Sequence, residues 1–349
     1  MTGWETFLTA AIKVIAAFGL LLTIVIILVW FERKTVADLQ NRIGPNRAGP
    51  WGLLQTVADG VKLLFKESVT PRKVEWGLYI AAPIAALVPA LLIFLVVPIG
   101  QPFHIGDRLI DLTGTDLNIG ILYILAMSSL AVYAVVLAGW SSGSKYPMLG
   151  AVRASAQMIS YEAAMGLALV PLILFTGTTS LQEIVEIQGG SFGLLPAWNV
   201  VLIPSFLIFF IAGVAETNRA PFDLVEAESE IVGGYHTEYS GFRFALFFLA
   251  EYINIFNISA ITVTLFLGGW HGPTFGLGAP LSWLLPIVWF LAKTMALVFV
   301  FVWIRATLPR MRYDQLMSFG WKRLIPLTLL WIALSTLAIG VRRMGLPWT

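Results

Sequence analysis

Between residues 216 and 238 the chain places six carboxylates, Glu216, Asp223, Glu226, Glu228, Glu230 and Glu238, around a single internal base, Arg219. Leu224, Val225, Ala227, Ile231 and Val232 fill the gaps with apolar or small side chains, and long apolar runs flank the segment on both sides. Like charges within about 4 to 6 Å disfavour ionisation, so carboxylates crowded this way keep some protons near neutral pH and titrate as a coupled set. Such a set can store a proton and pass it on. Ala220-Pro221-Phe222-Asp223 reads as a helix start with proline at the first helical position, and Gly233-Gly234 as a stop. Within that helix Glu226 and Glu230 share a face, Asp223 lies three residues before Glu226, and Glu228 points elsewhere. In a soluble protein a charge run is ordinarily a solvated face; here no matching bases lie nearby and both flanks enter lipid.

Besides Lys13, which reads as a snorkelling or packing lysine, three more charged residues fall inside apolar runs. A helix beginning near Met148 carries Glu162 into the membrane, where insertion scales put the cost of a carboxylate at about 2.5 to 3.5 kcal/mol, so it needs a partner or a water path. Its plainer role is a helix-packing hydrogen bond from a protonated carboxyl. Glu251 stands about two turns into the run that starts near residue 242, and Lys293 lies in the next run. Intramembrane ionisable groups commonly mark proton relays; together with Glu162 these residues point to a polar path toward mid-membrane. Lys293 is equally readable as the counter-ion of one acid.

The elements that must position these groups are legible in composition. Of 349 residues 58% are hydrophobic and only 12% charged, with a mean hydropathy of +0.83. No soluble domain of this length carries such a balance. Apolar runs of about 18 residues or more recur at roughly 6–30, 78–99, 118–140, 156–177, 198–215, 242–268, 282–304 and 322–341, each long enough to cross about 30 Å of hydrocarbon as helix. The expectation is an all-α polytopic protein of eight transmembrane helices in a single membrane domain, residues 1–349. The first run lacks a basic leader and a small-residue exit, so it reads as a retained span rather than a cleavable signal. With no cysteine and three scattered histidines (His104, His236, His271), the chain offers neither an iron–sulfur ligand set nor a histidine cluster for metal or haem, and electrons must come from a partner. The net charge of +2 says little about partners.

Lysine and arginine are divided unevenly among the connectors. The odd connectors hold seventeen and the even ones Arg108 alone. The positive-inside rule then puts the odd connectors on the cytoplasmic or matrix side and both termini on the periplasmic or intermembrane side, with Arg342 and Arg343 in mild disagreement. In the first connector, residues of about 51–67 form an amphipathic helix: Leu53, Leu54, Val57, Val61, Leu64 and Phe65 recur at helical spacing, with Asp59, Lys62 and Lys66 largely between them. It reads either as a helix lying on headgroups, its bases holding anionic lipid, or as the lip of a portal for a lipophilic substrate. The seventh connector sets Arg305, Arg310 and Arg312 within eight residues beside the membrane, where they can steady carboxylates or simply anchor the topology. The even connectors, 101–117 and 180–188, read as solvated caps.

Several strings together carry a family resemblance: Glu32-Arg33-Lys34, QNRIGPNR at 40–47, Ser144-Lys145-Tyr146, Ala156 to Glu162, ETNRAPFD at 216–223, Glu226-Ala227-Glu228-Ser229-Glu230, and WIRATLPRMRYDQLM at 303–317. They run through nearly the whole chain, in order. On these strings the chain closely resembles the H-subunit family of the membrane arm of respiratory complex I, the proton-pumping NADH:quinone oxidoreductase.

The resemblance implies a subunit at the joint of the membrane and hydrophilic arms that forms most of the chamber through which ubiquinone or menaquinone, the substrate, reaches the last iron–sulfur cluster. Flavin and clusters would belong to partner subunits, and the other partners would be hydrophilic quinone-site, small and antiporter-like membrane subunits and lipid. By motif it places Glu32, Arg33, Arg42, Arg47, Asp59 and Lys62 at the tunnel mouth and walls, with Arg219, Arg305 and Arg310 also in the chamber. Glu162, Glu216, Asp223, Glu226, Glu228, Glu230 and Glu251, with Lys293, become the proton-coupling set, in a bacterial plasma membrane rather than a mitochondrial one. Two alternatives remain: a membrane subunit of an energy-converting hydrogenase, which needs no quinone tunnel, and a stand-alone secondary transporter, which should show paired interrupted helices.

Overall fold

The computed structural model describes residues 3–105, 108–110, 112–192, 195–196, 198–224, 232–273 and 281–343. Its architecture is helical, with two short antiparallel hairpins (β1 Phe103–Ile105 with β2 Arg108–Ile110, and β3 Ser191–Phe192 with β4 Leu195–Pro196) in the connectors. The helices are α1 Gly3–Leu39, α2 Gln55–Phe65, α3 Trp76–Phe94, α4 Gly120–Ser141, α5 Lys145–Thr176, α6 Leu181–Ile187, α7 Ile203–Glu216, α8 Gly241–Phe266, α9 Leu281–Thr307, α10 Tyr313–Phe319 and α11 Ile325–Arg343. A π-helical turn, Gly320–Leu324, joins α10 to α11 into one continuous rod.

Among the described residues, seven helices are long and apolar enough to cross a membrane. The expected fifth span departs from the pattern. α7 has 14 residues, which at 1.5 Å per residue is about 21 Å, short of the roughly 30 Å hydrocarbon core. Its last residue is Glu216, and the backbone that follows makes turns at 217–222 that are packed inside protein, where alone non-helical backbone at membrane depth is tolerated. The helix expected to start at Pro221 does not start there: residues 221–224 are turn, bend and coil, after a cis Ala220–Pro221 peptide. Conversely, α5 begins at Lys145 rather than near Met148, so Glu162 lies about five turns from the helix start.

α8 is the central helix. From Ile255 to Phe266 every side chain is buried, whereas α11 is the least buried span. α4 and α5 approach closely because Gly139 faces Ala151; a Cβ at Gly139 would sit 2.3 Å from the Ala151 Cβ and 2.6 Å from the Pro147 carbonyl oxygen. Small residues at such crossings let backbones meet, the usual source of packing energy where no hydrophobic effect operates between helices.

The odd and even connectors gather at opposite ends. At one end Ser240 bonds both the amide and carbonyl of Val69 (2.8 and 3.1 Å), Glu75 N donates to Ser141 O, and Met311 N donates to Pro221 O at 2.9 Å. At the other, Ser180 donates to Asp116 at 3.2 Å, and Gln188 accepts from the amides of Asn199 and Gly268.

Candidate functional site

The site is built where the short helix α7 ends. Arg219, three residues beyond it, is 8% exposed and bridges two carboxylates: its Nε lies 2.7 Å from Glu251 Oε1 on α8, and its Nη1 donates to Glu32 Oε1 on α1 at 3.3 Å. The same Glu32 oxygen accepts from Arg305 Nη1, at the end of α9. The Arg219 guanidinium also covers the Tyr252 ring at 4.7 Å. Two guanidinium groups thus balance two carboxylates in a buried cluster joining α1, α8, α9 and the 217–224 turn. Buried charges persist only when paired and hydrogen-bonded like this.

Beside it stands a second arrangement without arginine. Adjacent serines of α4 hold two carboxyl groups: Ser128 Oγ donates to Glu216 and Ser129 Oγ to Glu162. The α7–α8 turn is fixed against α5 by Gln157, whose amide donates to Ala215 O at 2.7 Å and Phe222 O at 2.8 Å. Tyr161 OH donates to Leu316 O at 2.9 Å, drawing α10 onto the same turn. Because hydroxyls and not cations hold Glu162 and Glu216, gain or loss of a proton there changes the charge of a low-dielectric interior, where charges act on one another far more strongly than in water.

Cavities join the two arrangements. One is lined by Glu32, Arg219, Tyr252 and Arg305. The next is lined by Thr217, Asn218, Arg219, Asp223, Tyr235, His236 and Glu251. A third reaches from Glu251 past Asn254 to Glu216, and a fourth from Glu216 and Ser128 to Asn257. Each shares polar residues with the next.

At the connector side Asp59 of α2 receives Arg33 Nη1 at 2.6 Å and Lys62 Nζ at 3.4 Å. Partial burial pushes the Asp59 carboxyl up, but Arg33 and Lys62 together outweigh it and hold it below the usual carboxylate value. α2 has no buried residue, and its apolar face (Leu54, Val57, Val61, Leu64, Phe65) is exposed.

The remaining sequence candidates are dispersed. Arg42 and Arg47 sit on the exposed 40–47 turn, Arg42 donating to Gln40 at 2.7 Å, and Arg310 is exposed. Lys293 lies away from the carboxylates: its ammonium donates to Leu267 O and His271 O, both at 2.7 Å, over the Trp198 ring, capping the C-terminal end of α8. Glu226, Glu228 and Glu230 lie outside the described residues. Ser128, Ser129, Gln157, Thr217, Asn218, Tyr235, Asn254 and Asn257 belong to the site without standing out in the sequence. Their available signal was polar side chains inside apolar runs, Ser128-Ser129 and Asn254-x-x-Asn257 above all.

Fold and site together define a polytopic helical membrane protein with a carboxylate–arginine cluster at its heart. A family model described as NADH dehydrogenase matches residues 12–336. The chain is 49% identical over 348 residues to the H subunit of NADH-quinone oxidoreductase from Frankia casuarinae, covering 99% of this chain and 76% of the relative. It is 50% identical over 332 residues to the H subunit of NADH-quinone oxidoreductase from Frankia alni, covering 95% of this chain and 72% of the relative. The chain belongs to this family, that of the membrane-embedded H subunit of the NADH-quinone oxidoreductase complex.

Proposed function

We propose that this chain walls the passage by which a membrane quinone reaches the complex's redox chain and couples quinone reduction to proton translocation. The observation that carries the reading is the succession of polar groups from Glu32 through Arg219 to Glu251, and, across a cavity that Glu251 and Glu216 both line, on to Ser128, Ser129 and Glu162. The chain has no cysteine to ligate iron–sulfur clusters, so these belong to partner subunits, as does, on the family's pattern, the flavin, in a bacterial plasma membrane. The exposed apolar face of α2, with Arg33, Asp59 and Lys62 behind it, suits the mouth of a portal for an isoprenoid quinone. Glu32, Arg219 and Arg305 line the inner wall.

Quinone reduction brings negative charge and proton demand beside the Arg219–Glu251 pair. A guanidinium shared between Glu32 and Glu251 transmits that change: charge drawn toward one acid weakens its hold on the other. Protons then move along Glu251, Glu216 and Glu162 toward neighbouring membrane subunits, with Asp223, Glu226, Glu228 and Glu230 supplying them from the aqueous side. In the assembled complex, Glu251→Gln and Glu216→Gln should each lower quinone-linked proton pumping by roughly two orders of magnitude, the lower end of the effect of a positioned proton-transfer group. NADH oxidation by an artificial acceptor should persist. Equal loss of both activities in a fully assembled complex would contradict the reading.

A further inference from the structure

Glu216 has one oxygen held by Ser128, while its second, Oε2, is buried with no hydrogen-bond partner. Asn257, one turn beyond Asn254 on α8, is 1% exposed. Its amide nitrogen donates to Ala90 O at 2.7 Å, yet its Oδ1 is also buried and unpartnered. Both residues line one cavity of about 30 Å³. The rest of that wall is mostly apolar, including Ile93, Ile121, Phe209 and Ile261. Two unpartnered acceptors on residues that line one small cavity call for a donor there, because an unsatisfied buried acceptor is costly and rare in native proteins. The volume suffices for water, which needs roughly 10 to 15 Å³ and two or more polar partners.

We propose that this cavity is a built water site in which bound water donates to Glu216 Oε2 and Asn257 Oδ1, carrying the proton path beyond Glu216 along α8. The inference rests on the coupling role proposed above for Glu216. Water here has two acceptors in a lining that is otherwise mostly apolar. Such a site stays wet while Glu216 is an anion and holds water less firmly once Glu216 is protonated, so its hydration follows the proton. Asn257 is a positioning residue in this scheme; it holds the water and carries no proton itself.

Infrared difference spectra of the assembled complex, taken on quinone reduction, test this. The carboxyl C=O band lost in Glu216→Gln marks Glu216. Asn257→Leu is expected to shift that band to higher wavenumber, remove the accompanying band sensitive to heavy-oxygen water, and lower the proton-to-electron ratio while artificial-acceptor activity stays. Asn257→Asp keeps an oxygen in place and should retain the water band. If Asn257→Leu does not assemble, the smaller apolar Asn257→Val is read the same way. An unchanged Glu216 band with unchanged water sensitivity in either apolar variant overturns the inference. Normal pumping in Glu216→Gln would instead overturn the coupling role, so the two failures are distinct.

Discussion

Glu32 spends a single oxygen on two arginines, which makes it the most vulnerable point of the buried cluster. Replacing it with glutamine leaves Arg219 its contact with Glu251 but leaves Arg305 facing Val298, Phe301 and Val302. Breaking a fully buried pair by removing one partner costs about 3 to 5 kcal/mol; Arg305 is about a third exposed, so water screens part of that loss. Glu32→Gln is therefore expected to lower the melting temperature of the solubilised complex and the amount assembled; a melting profile like that of the parent would show that the cluster is not the fastening it looks like. His236 offers a pH test at the same scale. It sits against Tyr235 and Phe244 beside the cavity that Arg219, Asp223 and Glu251 line, and burial drives its imidazole from 6.5 down to about 4. The unfolded turn thus takes up a proton that the folded turn refuses. Local stability is complete above pH 6.5 and is lost progressively as the pH falls toward 4. Amide exchange in residues 232–241, corrected for its intrinsic pH dependence, should accelerate over that window in the parent and not in His236→Gln.

At the scale of elements, two features place the chemistry: the shortness of α7 and the closeness of α4 to α5. α7 is too short to cross the hydrocarbon core alone, and Glu216 and Arg219 are delivered to the buried interior by an ordinary helix end rather than by a distorted span. The apolar run at 198–215 shows in the sequence, but its helix starts only at Ile203, because the residues before it form a short 3-10 turn. Hydropathy measures how long an apolar run is and not where its helix begins. The acidic residues themselves were legible, since charge in an apolar context is rare and expensive. Ser128, Ser129 and Asn257 were not, because a lone small polar residue in a span is as compatible with bonding its own backbone as with bonding a neighbour, and only packing shows which face it takes. The α4–α5 crossing fixes that face for the serines. Gly139→Ala would force a Cβ against Ala151 and Pro147, an overpacking of about 1 to 3 kcal/mol. Thermal denaturation should register that loss, and because the serine-bearing helix must shift, pumping should fall further than artificial-acceptor activity. Equal pumping and stability to the parent would mean that the crossing has slack.

For the whole molecule, the open question is which way the bundle faces, and the gathering of odd connectors at one end gives it a direct answer. Those connectors carry seventeen of the lysines and arginines, the even ones a single arginine. Retaining that many cations on the translocated side would oppose the strongest topological bias in membrane proteins, so the positive-inside rule predicts that the α2 end faces the cytoplasm. That end also carries α2, the helix proposed as the portal, and the acidic turn, so the proposed quinone mouth would lie on the side where a hydrophilic partner can deliver electrons. The chain contains no native cysteine, so single cysteines report without background. Glu67→Cys, exposed just after α2, and Glu186→Cys, exposed in α6, stand at opposite ends. A membrane-impermeant maleimide should label the Glu67→Cys protein in inside-out vesicles only and the Glu186→Cys protein in right-side-out vesicles only. The reverse pattern would turn the bundle over and, with it, put the acidic turn on the wrong side to draw protons from the cytoplasm; labelling of both from one side would break the alternation of spans and require one of α3, α4 and α5, the three helices between the two probes, not to cross.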